Sequence, residues 1–181
     1  MNLAFYECYG SRGYFWLEKV IEHIGNRALT IADGKRADIG NTAKKYAESI
    51  FNHFGFDCVT LSPYMGIDSI QPFILDPSKG AFILCLTSNK SASDIQMKVF
   101  DNEPLYLSVA KLCKKNSICF VQLIAPTTTV KRMKEIIRNS HEMIYMISTI
   151  STTGSALKYS IKKIINNYNV IKRIKPSKNV V

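Results

Sequence analysis

Ile31-Ala32-Asp33-Gly34-Lys35-Arg36-Ala37-Asp38-Ile39-Gly40-Asn41-Thr42 is the stretch on which the reading of this chain turns. Residues 29–32 are apolar and strand-like, and they run straight into charges, a glycine and a helix-starting asparagine. Side chains alternate along a strand, so Asp33 and Lys35 are expected on one face, with Gly34 pointing away. In a β/α barrel the ends of such strands open onto the mouth where active sites lie. A carboxylate and an ammonium placed there, with Asp38 as a second carboxylate, make an Asp-x-Lys-x-x-Asp set. Such a set holds a lysine protonated and aims it at developing negative charge. The plainer alternative is a solvated ion pair at a strand end, with no catalytic role.

Outward from that stretch, apolar runs alternate with amphipathic ones. Strands are expected over residues 3–7, 28–32, 58–61, 81–86, 118–124 and 143–150, with a last frayed one over 170–174. Helices are expected over 13–24, 42–54, 104–115, 130–139 and 155–168, with a short one from about residue 68. Phe15, Trp16, Val20, Ile21 and Ile24 give the first helix an apolar stripe. Asn41 suits an N-cap, Gly55 a helix end, and Pro104 a first helical turn. Strand–helix alternation of this kind indicates a parallel sheet with crossover helices. The fold class is therefore α/β with about six strand–helix units, a count that allows an open doubly wound sheet as well as an incomplete (β/α)8-type barrel, where a full barrel has eight. No glycine-rich fingerprint follows a strand, so dinucleotide binding has little support.

At 181 residues the chain is long enough for a domain with a sizeable core, and 46% hydrophobic with 21% charged residues is ordinary for a soluble globular protein. No apolar run approaches the roughly 20 residues that span a bilayer, and residues 1–7 lack the basic start of a signal peptide, so a cytoplasmic protein without a membrane partner is expected. The five cysteines, Cys8, Cys58, Cys85, Cys113 and Cys119, are far apart, and none pairs at C-x-x-C spacing. They read as free thiols, and no metal site is expected. All of the +10 net charge falls in residues 101–181. That basic part could attract nucleic acid, but its lysines fall on polar helix faces without an aromatic–basic motif, so nucleic acid is not an expected partner.

The residues around Asp33 carry a resemblance. Residues 33–44, Asp-Gly-Lys-Arg-Ala-Asp-Ile-Gly-Asn-Thr-Ala-Lys, resemble the signature of the orotidine 5'-phosphate decarboxylases, chiefly the longer bacterial type. Asn2-Leu3-Ala4-Phe5-Tyr6-Glu7, Thr60-Leu61-Ser62-Pro63-Tyr64-Met65-Gly66, residues 79–89 and Asp101-Asn102-Glu103-Pro104-Leu105-Tyr106-Leu107 follow the family's order, so the resemblance covers about residues 2–115. It implies a decarboxylase in pyrimidine nucleotide biosynthesis that uses no metal or organic cofactor and acts on a small nucleotide as a homodimer. By motif match, Lys35 stabilises the carbanion left at C6 and donates the proton. Asp33 faces the departing carboxylate, and Asp38 completes the network from the partner subunit. Asn2, Ile39, Thr42 and Ser88 match substrate-binding positions, with Ile39 and Thr42 reaching over from the partner and Ser88 meeting the pyrimidine edge.

This sequence departs from the family's pattern in places. The family's first network lysine lies two residues before the position of Asn2 and has no counterpart in these residues, nor does the strand that carries a ribose-contacting aspartate. Gly34 replaces a larger residue, and Asn89-Lys90-Ser91 stands in place of Asn-Pro-Gly. The family's late phosphate-gripping glutamine and arginine are not found. Residues 117–156 instead look like the fifth and sixth strands of the tryptophan synthase alpha subunit, in which Thr153 and Gly154 match its phosphate end. Thr153, Gly154 and Ser155 are thus a possible phosphate site at a helix start, or simply a helix cap. The expected organisation is one barrel-like domain over 1–181: a decarboxylase-like part (2–115), an alpha-subunit-like part (117–169) and a polar basic tail (170–181). The alternatives to a decarboxylase are a truncated or hybrid non-catalytic barrel remnant and an alpha-subunit-like lyase. The latter is disfavoured because the alpha subunit's acid and base carboxylates have no counterpart here.

Overall fold

The computed structural model describes residues 1–119, 121–140, 143–147 and 160–180. The chain divides into two compact units, Met1–Val109 and Ala110–Val181.

The first unit is built on a parallel three-stranded sheet, in the order β1 (Ile31–Arg36), β2 (Cys58–Leu61) and β3 (Gly80–Ile83). Because the strands run the same way, residues 33–36, 60–62 and 84–88 gather at one edge of the sheet, the C-terminal one. The ladder continues past the strands there: Ser62 N–H donates to the Arg36 carbonyl and Leu84 N–H to the Leu61 carbonyl, both at 2.9 Å. Ala32, Val59 and Leu61 are buried, as sheet residues covered by helices should be.

Residues 3–7, expected as a strand, form a helical turn instead, α1 (Ala4–Glu7), which leads into α2 (Gly10–Ile24). Only a single parallel bridge, Asn2 to Asp33, remains of the expected strand pairing. Two local causes account for the turn. Asn2 Oδ1 accepts from Ala4 N–H at 3.1 Å and starts the helix. Gly13 is buried where any side chain would overlap the Tyr6 carbonyl, so a glycine there lets α1 lie against α2.

The helix after β1, α3 (Gly40–Ala47), begins one residue before Asn41, so Asn41 lies inside it and Ile39 takes the cap position. It runs on as a wider π turn over Glu48–His53. Short 3-10 turns at Ile67–Ser69 and Gln71–Phe73 follow β2. Phe73 is fully buried, and its ring meets Phe51 edge-on at 6.3 Å. After β3, the antiparallel pair β4 (Val99–Phe100) and β5 (Glu103–Pro104) turns through Asp101 and Asn102, both at positive φ, as a tight hairpin turn demands. Pro104 belongs to this hairpin, and helix α4 (Leu105–Lys115) starts after it.

The second unit holds another parallel sheet, β6 (Gln122–Ile124), β7 (Met143–Met146) and β8 (Asn179–Val180), with helices α5 (Val130–Asn139) and α6 (Ile161–Ile174). Thr129 and Ser160 cap the two helices, accepting from Arg132 N–H and Lys163 N–H. Ile124, Met133, Ile136, Ile137, Ile144 and Ile171 form the core. Residues 170–174, expected as a strand, are the last turn of α6; Ile171 is buried in that core, and the final strand comes later, at Asn179. Just before it, the Lys178 side chain is buried and its Nζ donates to the Ser140 carbonyl at 2.9 Å.

Candidate active site

Asp33 and Lys35 sit at the C-terminal edge of the first sheet, in an irregular part of β1. Ala32 pairs with Val59 and Arg36 pairs with Leu61, so Asp33, Gly34 and Lys35 together face only Thr60. The extra residues make a bulge, a device that re-aims side chains where regular pleating would not. Lys35 absorbs the turn with φ 45°, a left-handed conformation costing a non-glycine residue about 1–2 kcal/mol.

Three side chains meet in the bulge. Lys35 Nζ donates to Asp33 Oδ1 at 2.7 Å, and Thr60 Oγ1 donates to the same oxygen at 2.8 Å. The Lys35 N–H in turn donates to Thr60 Oγ1 at 3.0 Å, so one hydroxyl ties the strained backbone to the carboxylate. Burial alone pushes the Asp33 carboxyl up. The hydrogen bonds from Lys35 and Thr60 and the charges of Lys35 and the amino terminus outweigh it, and the group lies below the ordinary aspartate range.

A carboxylate with a lowered folded-state pKa stabilises the fold above its unfolded value, near 3.8, and that contribution is lost as pH falls through the lower folded value. Thr60→Val removes one donor and brings the folded value back towards the ordinary one. Chemical denaturation should show the variant less stable than the parent at neutral pH, with the pH-dependent part of the difference lost as pH falls through the folded values. A difference that does not change with pH would mean that Thr60 does not act through Asp33.

The other sequence-predicted residues are placed as follows. Asn2 lies beside Asp33 through the backbone, with its side chain capping α1. Asp38 is outside the cluster, its Oδ1 accepting from the neighbouring Ile39 N–H at 2.8 Å. Ile39 and Thr42 are exposed on the segment that follows the bulge. Ser88 is exposed beyond β3. The loop around it is clasped by Gln96, whose Oε1 accepts from Thr87 N–H and whose Nε2 donates to Thr87 Oγ1, both at 2.8 Å. Thr153, Gly154 and Ser155 lie outside the described residues. Among the described residues no three His, Cys, Asp or Glu side chains gather as a metal would need, and no helix is long and apolar enough to cross a membrane. Sequence reasoning missed Thr60, and with it the pair formed by Arg36 and Glu7 on the other side of the bulge. Thr60 opens one of the family-like blocks, but nothing in its type or spacing marks it as a partner of Asp33.

The model of the orotidine 5'-phosphate decarboxylase / HUMPS family matches residues 1–167. The chain belongs to that family. The match runs through residues 117–156, so one family accounts for both the decarboxylase-like part and the part that also looks like tryptophan synthase alpha. Among its relatives, an orotidine 5'-phosphate decarboxylase of Herpetosiphon aurantiacus is 39% identical over 160 residues, covering 87% of this chain and 60% of its own length. One of Dehalococcoides mccartyi is 37% identical over 186 residues, covering all of this chain and 69% of its own. Among solved structures, Leishmania donovani OMP decarboxylase superposes with a TM-score of 0.64 at 32% identity, over 80% of this chain and 58% of that one. Leishmania donovani UMP synthase gives 0.70 at 30% identity, over 92% of this chain and 37% of that one. The fold class is accordingly α/β of the (β/α)8 type, present here in part. This chain spans about 60% of the length of the first two curated relatives that it matches.

Proposed function

We propose that the protein acts as an orotidine 5'-phosphate decarboxylase-type lyase, forming uridine 5'-phosphate and carbon dioxide. The observation that carries this reading is the Asp33–Lys35–Thr60 cluster held in a bulge at the active edge of a parallel sheet, in a chain of that family. The bond between C6 of the pyrimidine and its carboxylate carbon breaks, and its electron pair stays on C6. Lys35 Nζ, whose charge lies where that negative charge develops, stabilises it and then delivers a proton to C6. Asp33 faces the substrate carboxylate, and two like charges held close favour departure of the one that can leave as neutral carbon dioxide. Thr60 and the bulge hold both groups in place before substrate arrives, so little reorganisation is needed as charge moves.

Ile39 and Thr42 are exposed and the half-buried Asp38 lies outside the cluster, a placement that suits a second copy of the chain better than their own cluster. We take them to complete the partner's site in a homodimer with isologous contacts. The test is the loss of ultraviolet absorbance of orotidine 5'-phosphate with purified protein, beside trapped carbon dioxide. Equal amounts of uridine 5'-phosphate and carbon dioxide support the reading. Unchanged substrate at stoichiometric protein would overturn it and leave a non-catalytic relative of the decarboxylases.

A further inference from the structure

Every bulge has two ends, and the far end of this one is held by a side chain that touches none of the reacting groups. The strand rejoins its ladder at Arg36, opposite Leu61. There the guanidinium pairs with Glu7 at the end of α1 and lies over the Tyr46 ring, 5.0 Å from its centre. Its Nε is buried, with no hydrogen-bond partner among the described residues. A lysine could not both stack flat on a ring and present a fork to a carboxylate. Gly34 leaves the room this needs: a Cβ there would stand 2.9 Å from Leu3 Cδ1 and 3.3 Å from Arg36 Nε. The residue next to Lys35 is thus clamped between a helix end and an aromatic face, while Lys35 itself sits in an unfavourable backbone conformation that relaxes unless its neighbours forbid it.

We propose that Arg36, held by Glu7 and Tyr46, is a positioning residue: it fixes the downstream end of the bulge and so aims Lys35 at Asp33 and at the substrate. The part that concerns substrate rests on the function proposed above; the part that concerns Lys35 and Asp33 does not. Arg36→Met keeps the length and apolar stem of the side chain and removes the clamp. Glu7→Gln is the sharper variant, because the two explanations differ in sign. Acting through space, loss of a carboxylate would lower the titration midpoint of Asp33. Acting through position, it loosens Arg36, weakens the Lys35–Asp33 pair, and raises that midpoint.

The experiment follows the Asp33 carboxyl carbon by NMR through an acid titration of the full chain, alongside kcat, KM and thermal melting. The charges facing Asp33 are those of Lys35 and the amino terminus, and all variants retain both. Expected are midpoints raised in Arg36→Met and in Glu7→Gln, and kcat lowered about 10- to 100-fold in Arg36→Met with KM within about threefold. The double variant should be no worse than Arg36→Met alone, since the two residues act as one unit. Arg36→Lys should restore only part of kcat. A lower melting temperature with the parent's midpoint and kcat would overturn the proposal and leave Arg36 as a dock for α1. So would a lowered midpoint in Glu7→Gln. Should Arg36→Met fail to fold, Glu7→Gln and Tyr46→Leu decide the matter. Should the parent not turn over at all, the decarboxylase reading fails, and the Asp33 titration still decides the role of Arg36.

Discussion

Lys35→Ala is expected to lower kcat for orotidine 5'-phosphate by at least about 10³-fold, the scale of losing one preorganised donor at a site of developing charge. The loss should appear in kcat more than in KM, because the ammonium meets its full charge partner only as the carboxylate departs. Stability should hardly move. Half of the Lys35 side chain is exposed, and its pair with a partly exposed Asp33 is screened by water, so its net contribution is under about 1 kcal/mol. Alanine also keeps the left-handed conformation unfavourable, so the bulge gains no relief from the substitution. A variant that melts like the parent and turns over like it would remove Lys35 from the mechanism. A related measurement addresses Asp38. If the site is shared between two copies, mixing Lys35→Ala with Asp38→Asn, each inactive alone, should recover up to about a quarter of the parent's activity, since half the pairs are mixed and each mixed pair has one intact site.

Phe73→Ala is expected to cost about 3–5 kcal/mol of stability, the range for deleting a fully buried aromatic side chain. Phe73 ends a short 3-10 turn and packs edge-on against Phe51, which lies in the π turn that prolongs α3. Lys79 stands over the same Phe51 ring, 5.7 Å from its centre, and donates to the Phe56 carbonyl at 2.9 Å. Removing the ring therefore opens a cavity and loosens the turn after α3 together with the start of β2. Against the roughly 5–15 kcal/mol of a typical domain, that takes about a fifth of the total or more. Denaturant midpoints give the number. A loss below about 1 kcal/mol would mean that the site collapses around the cavity.

Much of this was readable from residue types alone. Helix 130–139 appears over the residues its periodicity marks, and the parallel alternation of strands and helices is there. Asp33 and Lys35 do meet, but not for the reason that strand alternation supplies. They meet because β1 bulges, and a bulge depends on the register of the facing strand, which no local pattern encodes. Residues 3–7 form a helical turn rather than a strand because of packing. Leu-Ala-Phe-Tyr suits a strand by propensity, but a glycine six residues beyond the turn and an asparagine before it favour a helix packed on a helix. Residues 170–174 are β-branched enough to suggest a strand, yet the burial of Ile171 against the second core holds them in α6. For the bulge and for the end of α6 the deciding contact lies outside the window that a periodicity argument sees.

Lys178 has a practical value that its packing does not suggest. Amine-acylating reagents attack only accessible, uncharged amines, and this one lies within the second unit with its Nζ against the Ser140 carbonyl. Exposed lysines such as Lys131 and Lys162 on the same unit react without any opening of the fold. The delay before Lys178 gains an acyl group, read by peptide mass against those two, is a clock for the opening that parts Lys178 from Ser140 in the second unit.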